Sequence, residues 1–561
     1  MKTLIRNFSH TFRRFFTASI LNLVGLSIAF TACFVILTQV DYDYNYNKCF
    51  PAHERIYRVE VNRGGEYDWQ FWLARPLCEL IGTASPHIQA ISVTSLLSYT
   101  NDFEIDEHIY SEPWLTGFGD YLEVFQPTMI CGTTASLNEP GQVLIPASMA
   151  RRFFGTTEVL GKSIYVDRKS LNQPLVIGGV YQDMPENSQL GNCIFSSYSP
   201  ELNKDSWINW SYTLYIRLDN PASLTDIQQS IIENCKQKMP KDWISGTEDW
   251  ENFIHFTPLD EVHYSTIGDK AATSKAAVYL FAVCINTNFT DSSSQLHELL
   301  AGRNSHAIAF PSNTQKVLGA STFSLRGYLL LESVLVCMCG FLLSLLWLYL
   351  LQDTFLNTLV SSDLSLMRHP VLLLTLSGIA VCMGLLAGAY PSYYVTSFQP
   401  ALVLKGSFGL SPKGKLLRTL LVCFQFFVSF MLIISVGIMY LQSHYIQNSD
   451  YGYDKSVVLV GEIPNELLNR REAIVSELSG ISGIEGISIS QFVLNSSDDY
   501  MSWGRGNRER FINTVCFPVD YRYLSVLGIK ITEGRDFKPS DGDVYIFNEA
   551  AREKISLDES R

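Results

Sequence analysis

The sequence predicts a multi-pass α-helical membrane protein with large α+β extracytoplasmic domains. Apolar residues make up 47% of the 561-residue chain and charged residues only 17%, whereas soluble domains average about 25% charged residues. Four long windows are almost free of charge, and two polar blocks, 41–275 and 444–561, lie outside them. The net charge of −13 argues against a nucleic-acid-binding surface, which is basic.

Four apolar windows are predicted to cross the membrane as helices. They cover 17–40, 327–351, 371–395 and 419–443, and their one charged residue is Glu332. About 20 apolar residues, rising about 1.5 Å each, cross a hydrocarbon core of about 30 Å. Buried helices of soluble proteins rarely need such long uncharged runs. We therefore assign these windows as the first, third, fourth and fifth membrane helices.

Basic residues in the flanking segments predict the orientation of these helices. Residues 1–16 and 394–418 contain no acidic residue but several basic ones: Lys2, Arg6, Arg13, Arg14, Lys405, Lys413, Lys415 and Arg418. Because such segments stay on the cytoplasmic side, we expect a cytoplasmic N-terminus. Apolar side chains at helical spacing within 1–16 predict an amphipathic helix on the inner leaflet. The linker 396–418 is then cytoplasmic and 352–370 is a short outer loop.

A weak second membrane helix is needed to make the crossings consistent. The first helix leaves the cytoplasm, whereas the basic stretch 303–326 is expected to be cytoplasmic, so the chain must cross back between them. The only candidate is 276–290, which begins with ten consecutive apolar residues. Ten residues are short for a span, and a thinned bilayer would have to accommodate them. We expect a degenerate helix there, followed by a cytoplasmic coupling loop at 291–326.

The two polar blocks are predicted to fold as outer domains. Alternation of apolar and polar residues in 56–61, 142–145 and 175–180 predicts strands, and 148–154 predicts a helix. Block 41–275 is expected to be a complete domain and block 444–561 a partial second one.

The fifth membrane helix (419–443) and the outer block that follows it repeat the first helix and its outer block. Matching residues recur at an offset of 402: Tyr121, Leu122, Val124 and Gly132 with Tyr523, Leu524, Val526 and Gly534. Such a repeat predicts a double-length architecture. Since the second copy reaches only Arg561, we expect a C-terminally truncated chain or a decayed second half.

Several longer motifs occur in a definite order. The first outer block contains VLIPASMARRFFG (143–155), GKSI (161–164) and VIGGVYQDMPENS (176–188). The predicted cytoplasmic loop contains TQKVLGAS (314–321), and the fourth membrane helix ends in GLLAGAYPSYYVTSFQPALVLKG (384–406). Together they resemble the MacB/FtsX-like permease subunits of ABC transporters, in their double-length form, over almost the whole chain.

The resemblance implies a non-enzymatic permease subunit of a bacterial inner membrane, with outer domains of the MacB periplasmic core type. ATP would be bound and hydrolysed by a separate cytoplasmic ATPase, and the helices at 17–40 and 327–351 would relay the motion to the outer domains for export or envelope signalling. Other implied partners are membrane lipids, a second permease chain and a periplasmic adaptor. The segment that would dock on the ATPase is Thr314, Gln315, Lys316, Val317, Leu318, Gly319, Ala320 and Ser321.

Motifs for catalysis, cofactors and metals are not found in the sequence. The segment 155–163 resembles a phosphate-binding loop, but it has one residue too many and precedes a predicted strand instead of a helix. Six cysteines are expected outside the membrane, where disulfides could form: Cys49, Cys78, Cys131, Cys193, Cys235 and Cys516. Two alternatives stay open, namely a membrane-anchored binding or sensor module without an ATPase, and a decayed, non-functional permease.

Overall fold

The computed structural model describes the chain in segments: 16–64, 67–95, 99–105, 108–166, 174–241, 250–267, 316, 319–352, 354, 360–397, 412–449, 451–453, 457–461, 463, 467, 470–494, 501–507, 510–542 and 544–555. The predicted features at 1–15 and 276–290, and Thr314, Gln315, Val317 and Leu318, lie outside these segments. The chain divides into two compact units, Met1–Leu432 and Ile433–Arg561.

The described helices and strands are numbered in chain order. The helices are α1 (Phe16–Tyr44), α2 (Arg75–Gly82), α3 (Ala147–Phe154), α4 (Leu224–Lys238), α5 (Thr322–Leu351), α6 (Pro370–Ser397), α7 (Pro412–Asn448), α8 (Arg471–Ser479), α9 (Tyr523–Leu527) and α10 (Glu549–Ile555). The strands are β1 (Ile56–Gly64), β2 (Tyr67–Gln70), β3 (Leu73–Ala74), β4 (Ile88–Ser95), β5 (Tyr99–Ile105), β6 (His108–Gly117), β7 (Met129–Gly132), β8 (Gln142–Pro146), β9 (Ser163–Val166), β10 (Leu175–Tyr181), β11 (Ile194–Ser197), β12 (Trp210–Leu218), β13 (Ile254–Pro258), β14 (Met501–Asn507) and β15 (Arg510–Cys516).

Four helices in the described part of the chain are long and apolar enough to cross a membrane. The stretches concerned are Leu23–Tyr44 in α1, Thr322–Leu351 in α5, Pro370–Ala389 in α6 and Ser429–Asn448 in α7. Each overlaps one of the four long apolar windows of the sequence. The protein is a multi-pass α-helical membrane protein, as predicted.

Helix α1 continues beyond its apolar window, which ends at residue 40. The backbone remains helical to Tyr44 and therefore includes Asp41 and Asp43. Hydropathy marks where side chains become polar, whereas a helix ends where its backbone hydrogen bonding stops. The last turn of α1 consequently contacts the outer domain.

Small residues bring the membrane helices α1, α5 and α6 close together. A Cβ atom on Gly384 would lie 2.5 Å from the Val334 Cα atom, and one on Gly340 would lie 2.7 Å from Leu26 Cδ2. Glycines at such positions let helix backbones approach more closely than larger residues allow. Around these contacts the three helices and the loop between α5 and α6, which contributes Leu364, bury a shared apolar core: Leu26, Phe30, Cys33, Phe34, Cys337, Phe341, Leu348, Leu364, Leu376, Ala380, Met383 and Ala387.

The first outer domain is built on one extended sheet with two parts. In the first part, β6 pairs with β5 and β11, and β11 also pairs with β8, so β5, β6, β11, β8, β10 and β9 close into a ring. In the second part the sheet runs from β6 through β4, β12, β1 and β13, and α2 and α4 pack on one of its faces. This is the large α+β domain that the sequence predicts.

The motif VLIPASMARRFFG forms a strand followed by a helix. Its strand β8 is one of the strands of the ring, and Val143, Leu144 and Ile145 in it are fully buried. Helix α3 buries Met149 and Phe153 against the same core and ends at Gly155, whose φ of +72° is unfavourable for other residues.

The second unit repeats elements of the first outer domain in the same order. Strand β14 covers the positions of β5 shifted by 402 residues, and β15 begins 402 residues after β6. Gly132 and Gly534, which match at this offset, both have positive φ values, +74° and +90°. The structure therefore contains a repeated hairpin and a repeated left-handed glycine at the offset of the predicted internal repeat.

Candidate functional site

The predicted coupling loop meets the membrane helices at its C-terminal end. Gly319 has a φ of +98°, and its amide donates to the Lys316 carbonyl oxygen over 3.1 Å, which forms a turn. Ser321 then caps α5, because its hydroxyl oxygen accepts a hydrogen bond from the Ser324 amide over 3.2 Å. The loop therefore leads directly into the first turn of α5.

Two cations at this end of the bundle bind the last turn of α6. The Lys316 ammonium donates to the Thr396 carbonyl oxygen over 3.1 Å. The Arg326 guanidinium, from α5, donates through Nε to Thr396 Oγ1 over 2.9 Å and lies 4.5 Å above the Tyr393 ring centroid. Thr396 is only 2% exposed, so both bonds have a buried acceptor. Cations are favourable at a helix C-terminus because its last carbonyl groups lack helical partners.

At the opposite end of the bundle, a buried histidine holds the last turn of α1. His263 Nε2 lies 3.0 Å from Asp43 Oδ1, and the two side chains are only 7% and 2% exposed. Tyr46 stacks on the His263 ring with centroids 3.9 Å apart, and the Tyr264 hydroxyl donates to the Asp43 carbonyl oxygen over 2.7 Å. The outer domain thus binds both the side chain and the backbone of this turn.

Asn47, three residues beyond α1, connects the chain to two loops of the outer domain. It is fully buried and has a φ of +63°, which asparagine tolerates better than most residues. Its amide nitrogen donates to the Asn187 carbonyl oxygen over 2.8 Å, and its Nδ2 donates to the Leu259 carbonyl oxygen over 3.1 Å. Its Oδ1 accepts from the Gln189 amide over 2.8 Å. We call Asp43, Tyr46, Asn47 and His263 the outer joint.

The loop between α5 and α6 touches the same region through exposed contacts. Arg368 lies 3.3 Å from Glu186 and 2.7 Å from Asp363, and the Arg368 and Glu186 side chains are 63% and 59% exposed. Gln39 of α1 accepts a hydrogen bond from the Ser361 amide over 2.9 Å. These contacts join the loop to the outer domain and to α1, but water competes for them.

A separate row of charged side chains is buried in the outer domain. Arg58 donates through Nε to Glu60 over 2.9 Å, and these two side chains are 6% and 0% exposed. Burial alone would raise the pKa of Glu60, but hydrogen bonds from His255, Arg58 and Thr257 and the charge of Arg58 lower the pKa overall. The donors to Glu60 come from β1 and β13 of the domain itself, so this row belongs to the fold of the domain.

Three features considered in the sequence analysis, namely metal ligands, disulfides and the phosphate-loop-like segment, can be compared with the described residues. They contain no group of three or more His, Cys, Asp or Glu that could hold a metal ion. The six outer cysteines are free thiols, and burial raises the pKa of Cys235 to about 12. The phosphate-loop-like segment 155–163 runs into β9, a strand.

The sequence predicted the coupling loop as a functional segment, but it predicted neither the contacts of that loop with α6 nor the outer joint. Lys316 belongs to the predicted coupling loop, but its partner Thr396 and the neighbouring Arg326 were not singled out as site residues. The signal available was a lone arginine in the first turns of α5 and a threonine in the last turn of α6. The outer joint was also missed, because its residues lie up to 220 positions apart.

The membrane helices form a bundle with an α+β outer domain at one end. At the other end, the predicted coupling loop binds the helix pair α5 and α6. This is the architecture of a permease with an extracytoplasmic domain. Residues 19–234 match the family model of the MacB-like periplasmic core domain, and residues 312–400 match that of the FtsX-like permease C-terminal domain. The chain belongs to the MacB/FtsX-like permeases of ABC transporters, as the resemblance predicted. It is therefore a multi-pass protein of the inner membrane, in a family that is typically non-enzymatic.

Solved structures of outer domains are also similar to part of the chain. One is a domain assigned to a permease protein from Porphyromonas gingivalis, with 23% identity, a TM-score of 0.32, and coverage of 37% of this chain and 91% of that one. The periplasmic region of MacB from Actinobacillus actinomycetemcomitans has 15% identity, a TM-score of 0.27, and coverage of 38% and 92%. The extracellular domain of the noncanonic ABC-type transporter YknZ from Gram-positive bacteria has 12% identity, a TM-score of 0.25, and coverage of 36% and 99%. No curated protein matches the sequence.

Proposed function

We propose that this permease transmits a conformational change from a separate cytoplasmic ATPase to its outer domain, to drive export or envelope signalling. ABC permeases generally work with such an ATPase, which would bind the ATP, so that this chain needs no cofactor of its own. The observation that carries the proposal is the outer joint, where α1 passes from the membrane into the outer domain and is held by buried contacts.

The strength of the contacts decides which helix moves rigidly with the outer domain. Leaving a buried polar group without its hydrogen-bond partner typically costs about 1–3 kcal/mol, and more for a charged group, whereas an exposed ion pair contributes about 0–1 kcal/mol. The Asp43–His263 contact is buried, and the Arg368–Glu186 pair is exposed. We infer that α1 and the outer domain move as one body, and that the α5–α6 loop can shift against this body.

The position of the coupling loop supports the proposed direction of transmission. The loop enters the N-terminal end of α5, whereas the loop after α5 contacts the outer domain. A helix of 30 residues is about 45 Å long, which separates the two ends by more than a bilayer core. Thr314 to Ser321 would then face the cytoplasm and dock on the ATPase, with the N-terminus on the same side.

Co-purification from native membranes tests this proposal. Tagged protein is expected to carry an ABC ATPase subunit, and Val317→Asp and Leu318→Asp are expected to reduce its recovery, because a charge opposes insertion into an apolar groove. Leu202→Asp, at an exposed site of the outer domain, is the matched control. Absence of an ATPase from the wild-type preparation, or equal recovery with all variants, would sink the proposal and favour a binding or sensor module without an ATPase.

A further inference from the structure

Thr396 accepts hydrogen bonds from two separate segments at the predicted cytoplasmic end of the bundle. Lys316 of the coupling loop reaches its backbone carbonyl oxygen, and Arg326 of α5 reaches its hydroxyl oxygen. The hydroxyl also donates to the Ser392 carbonyl oxygen over 2.7 Å, one turn earlier in α6. The buried Thr396 hydroxyl group therefore both donates a hydrogen bond and accepts one.

The two bonds differ in what they connect. The bond from Lys316 ties the coupling loop to α6, although the chain leads from the loop into α5 and not into α6. The bond from Arg326 ties α5 itself to α6 at the same residue, and the Tyr393 ring beneath the guanidinium adds a cation–π contact. These two bonds attach the coupling loop and the start of α5 to the last turn of α6.

Close packing extends this connection along the membrane. One turn back from Ser392, a Cβ atom on Gly388 would lie 2.5 Å from Ser333 Oγ, and a second contact of the same kind occurs at Gly384 against Val334. Packed small residues resist sliding, because any shift leaves voids or overlaps. The helices α5 and α6 are therefore held both along their length and at their cytoplasmic ends.

We propose that Thr396 is a positioning residue that, through Lys316 and Arg326, makes α5 and α6 move as one body with the coupling loop. This inference rests on the proposed function and assigns α6 to the moving part. The sequence analysis had placed the relay only in the helices at 17–40 and 327–351. A displacement of the loop then acts on the helix pair whose outer loop carries Arg368 against Glu186.

The test uses the full permease co-purified with its ATPase. Fluorophores attached to noncanonical amino acids at Ile109 and Met367, which are 70% and 93% exposed, report the distance between the outer domain and the α5–α6 loop. ATP with vanadate is expected to change this distance in the wild type. Thr396→Val keeps the side-chain volume but cannot accept the Arg326 bond, and Arg326→Gln removes the cation. Both are expected to weaken the nucleotide-dependent distance change about twofold or more, while ATPase recovery and basal hydrolysis stay unchanged.

Controls separate transmission from folding. Thr396→Ser retains the hydroxyl and should restore the distance change. Thr375→Val removes a hydroxyl in the same helix that donates to the Leu372 carbonyl oxygen within that helix, and should behave as the wild type. If Thr396→Val and Arg326→Gln transmit as fully as the wild type, the positioning role is wrong. If the wild type carries no ATPase or shows no nucleotide-dependent change, the proposed function itself fails.

Discussion

Asn47 combines a left-handed backbone conformation with buried hydrogen bonds to the outer domain. The left-handed φ of +63° turns the chain away from the axis of α1, and the buried amide group then reaches two loops of the outer domain. Neither property follows from the local sequence, because Asn45 lies two residues earlier in a similar setting. The tertiary environment selects Asn47 as the joint.

Substitutions at Asn47 separate the two contributions. Asn47→Ala should lower stability by about 1–3 kcal/mol through lost hydrogen bonds and by about 1–2 kcal/mol more through left-handed backbone strain. Asn47→Gly avoids the strain, so its loss should be smaller. Thermal unfolding of the purified protein in detergent measures both as shifts in Tm. Equal losses in the two variants would contradict the role of the backbone conformation.

The buried Glu60 carboxylate makes stability depend on pH. Its folded-state pKa lies below its ordinary value of 4.5, so its stabilising contribution is present above that value and is lost as pH falls through the folded-state pKa. At neutral pH, Glu60→Gln should have a lower Tm than the wild type. This difference should shrink as the pH is taken below about 4.5. A difference that stays constant from pH 7 to pH 3 would show that the charge does not matter.

At the scale of the elements, the membrane helices were predictable and their packing was not. Long uncharged windows predict α1, α5, α6 and α7, since a membrane core excludes charge wherever the helix lies. Their contacts depend on which small residues face each other, and Gly340, Gly384 and Gly378 look alike in the sequence. Of these three, only the first two lie against a neighbouring helix in the structure.

Two alanine substitutions in α6 test this distinction. Gly384→Ala would place its Cβ atom 2.5 Å from the Val334 Cα atom, so the helices must separate, at a cost of about 1–3 kcal/mol. A Cβ atom on Gly378 would meet no heavy atom of the described residues within 4 Å, and Gly378→Ala should be neutral or gain up to about 1 kcal/mol of helix propensity. The Tm values of the two variants, measured by thermal unfolding in detergent, test this difference. A loss at Gly378 as large as that at Gly384 would refute helix contact as the cause.

At the scale of the whole molecule, the two ends of the helix bundle make different contacts. The end of α1 and the loop between α5 and α6 contact the outer domain, while the start of α5 and the end of α6 meet at Thr396. This agrees with basic segments predicted on one side and the acidic outer domain on the other. The orientation of the N-terminus and the crossing at 276–290 stay predictions.

Reporter fusions test this topology. Alkaline phosphatase, which is active only outside the cytoplasm, should be active when fused after residue 241 and inactive when fused after residue 300 or residue 408. The physical basis is the retention of basic loops in the cytoplasm. Activity after residue 300 would remove the crossing at 276–290 and contradict the cytoplasmic position of the coupling loop.

The sequence by itself determined the class of this protein, its four long apolar helices and the strand–helix motifs of its outer domain. These depend on local hydropathy, periodicity and turn residues, which act within a few positions of the chain. The tertiary structure alone decided the closed ring of strands, the outer joint and the Thr396 contacts, because each brings together residues tens to hundreds of positions apart. Such pairs carry no local signal: Asp43 and His263 are ordinary polar residues until folding removes water from both and leaves each as the other's partner.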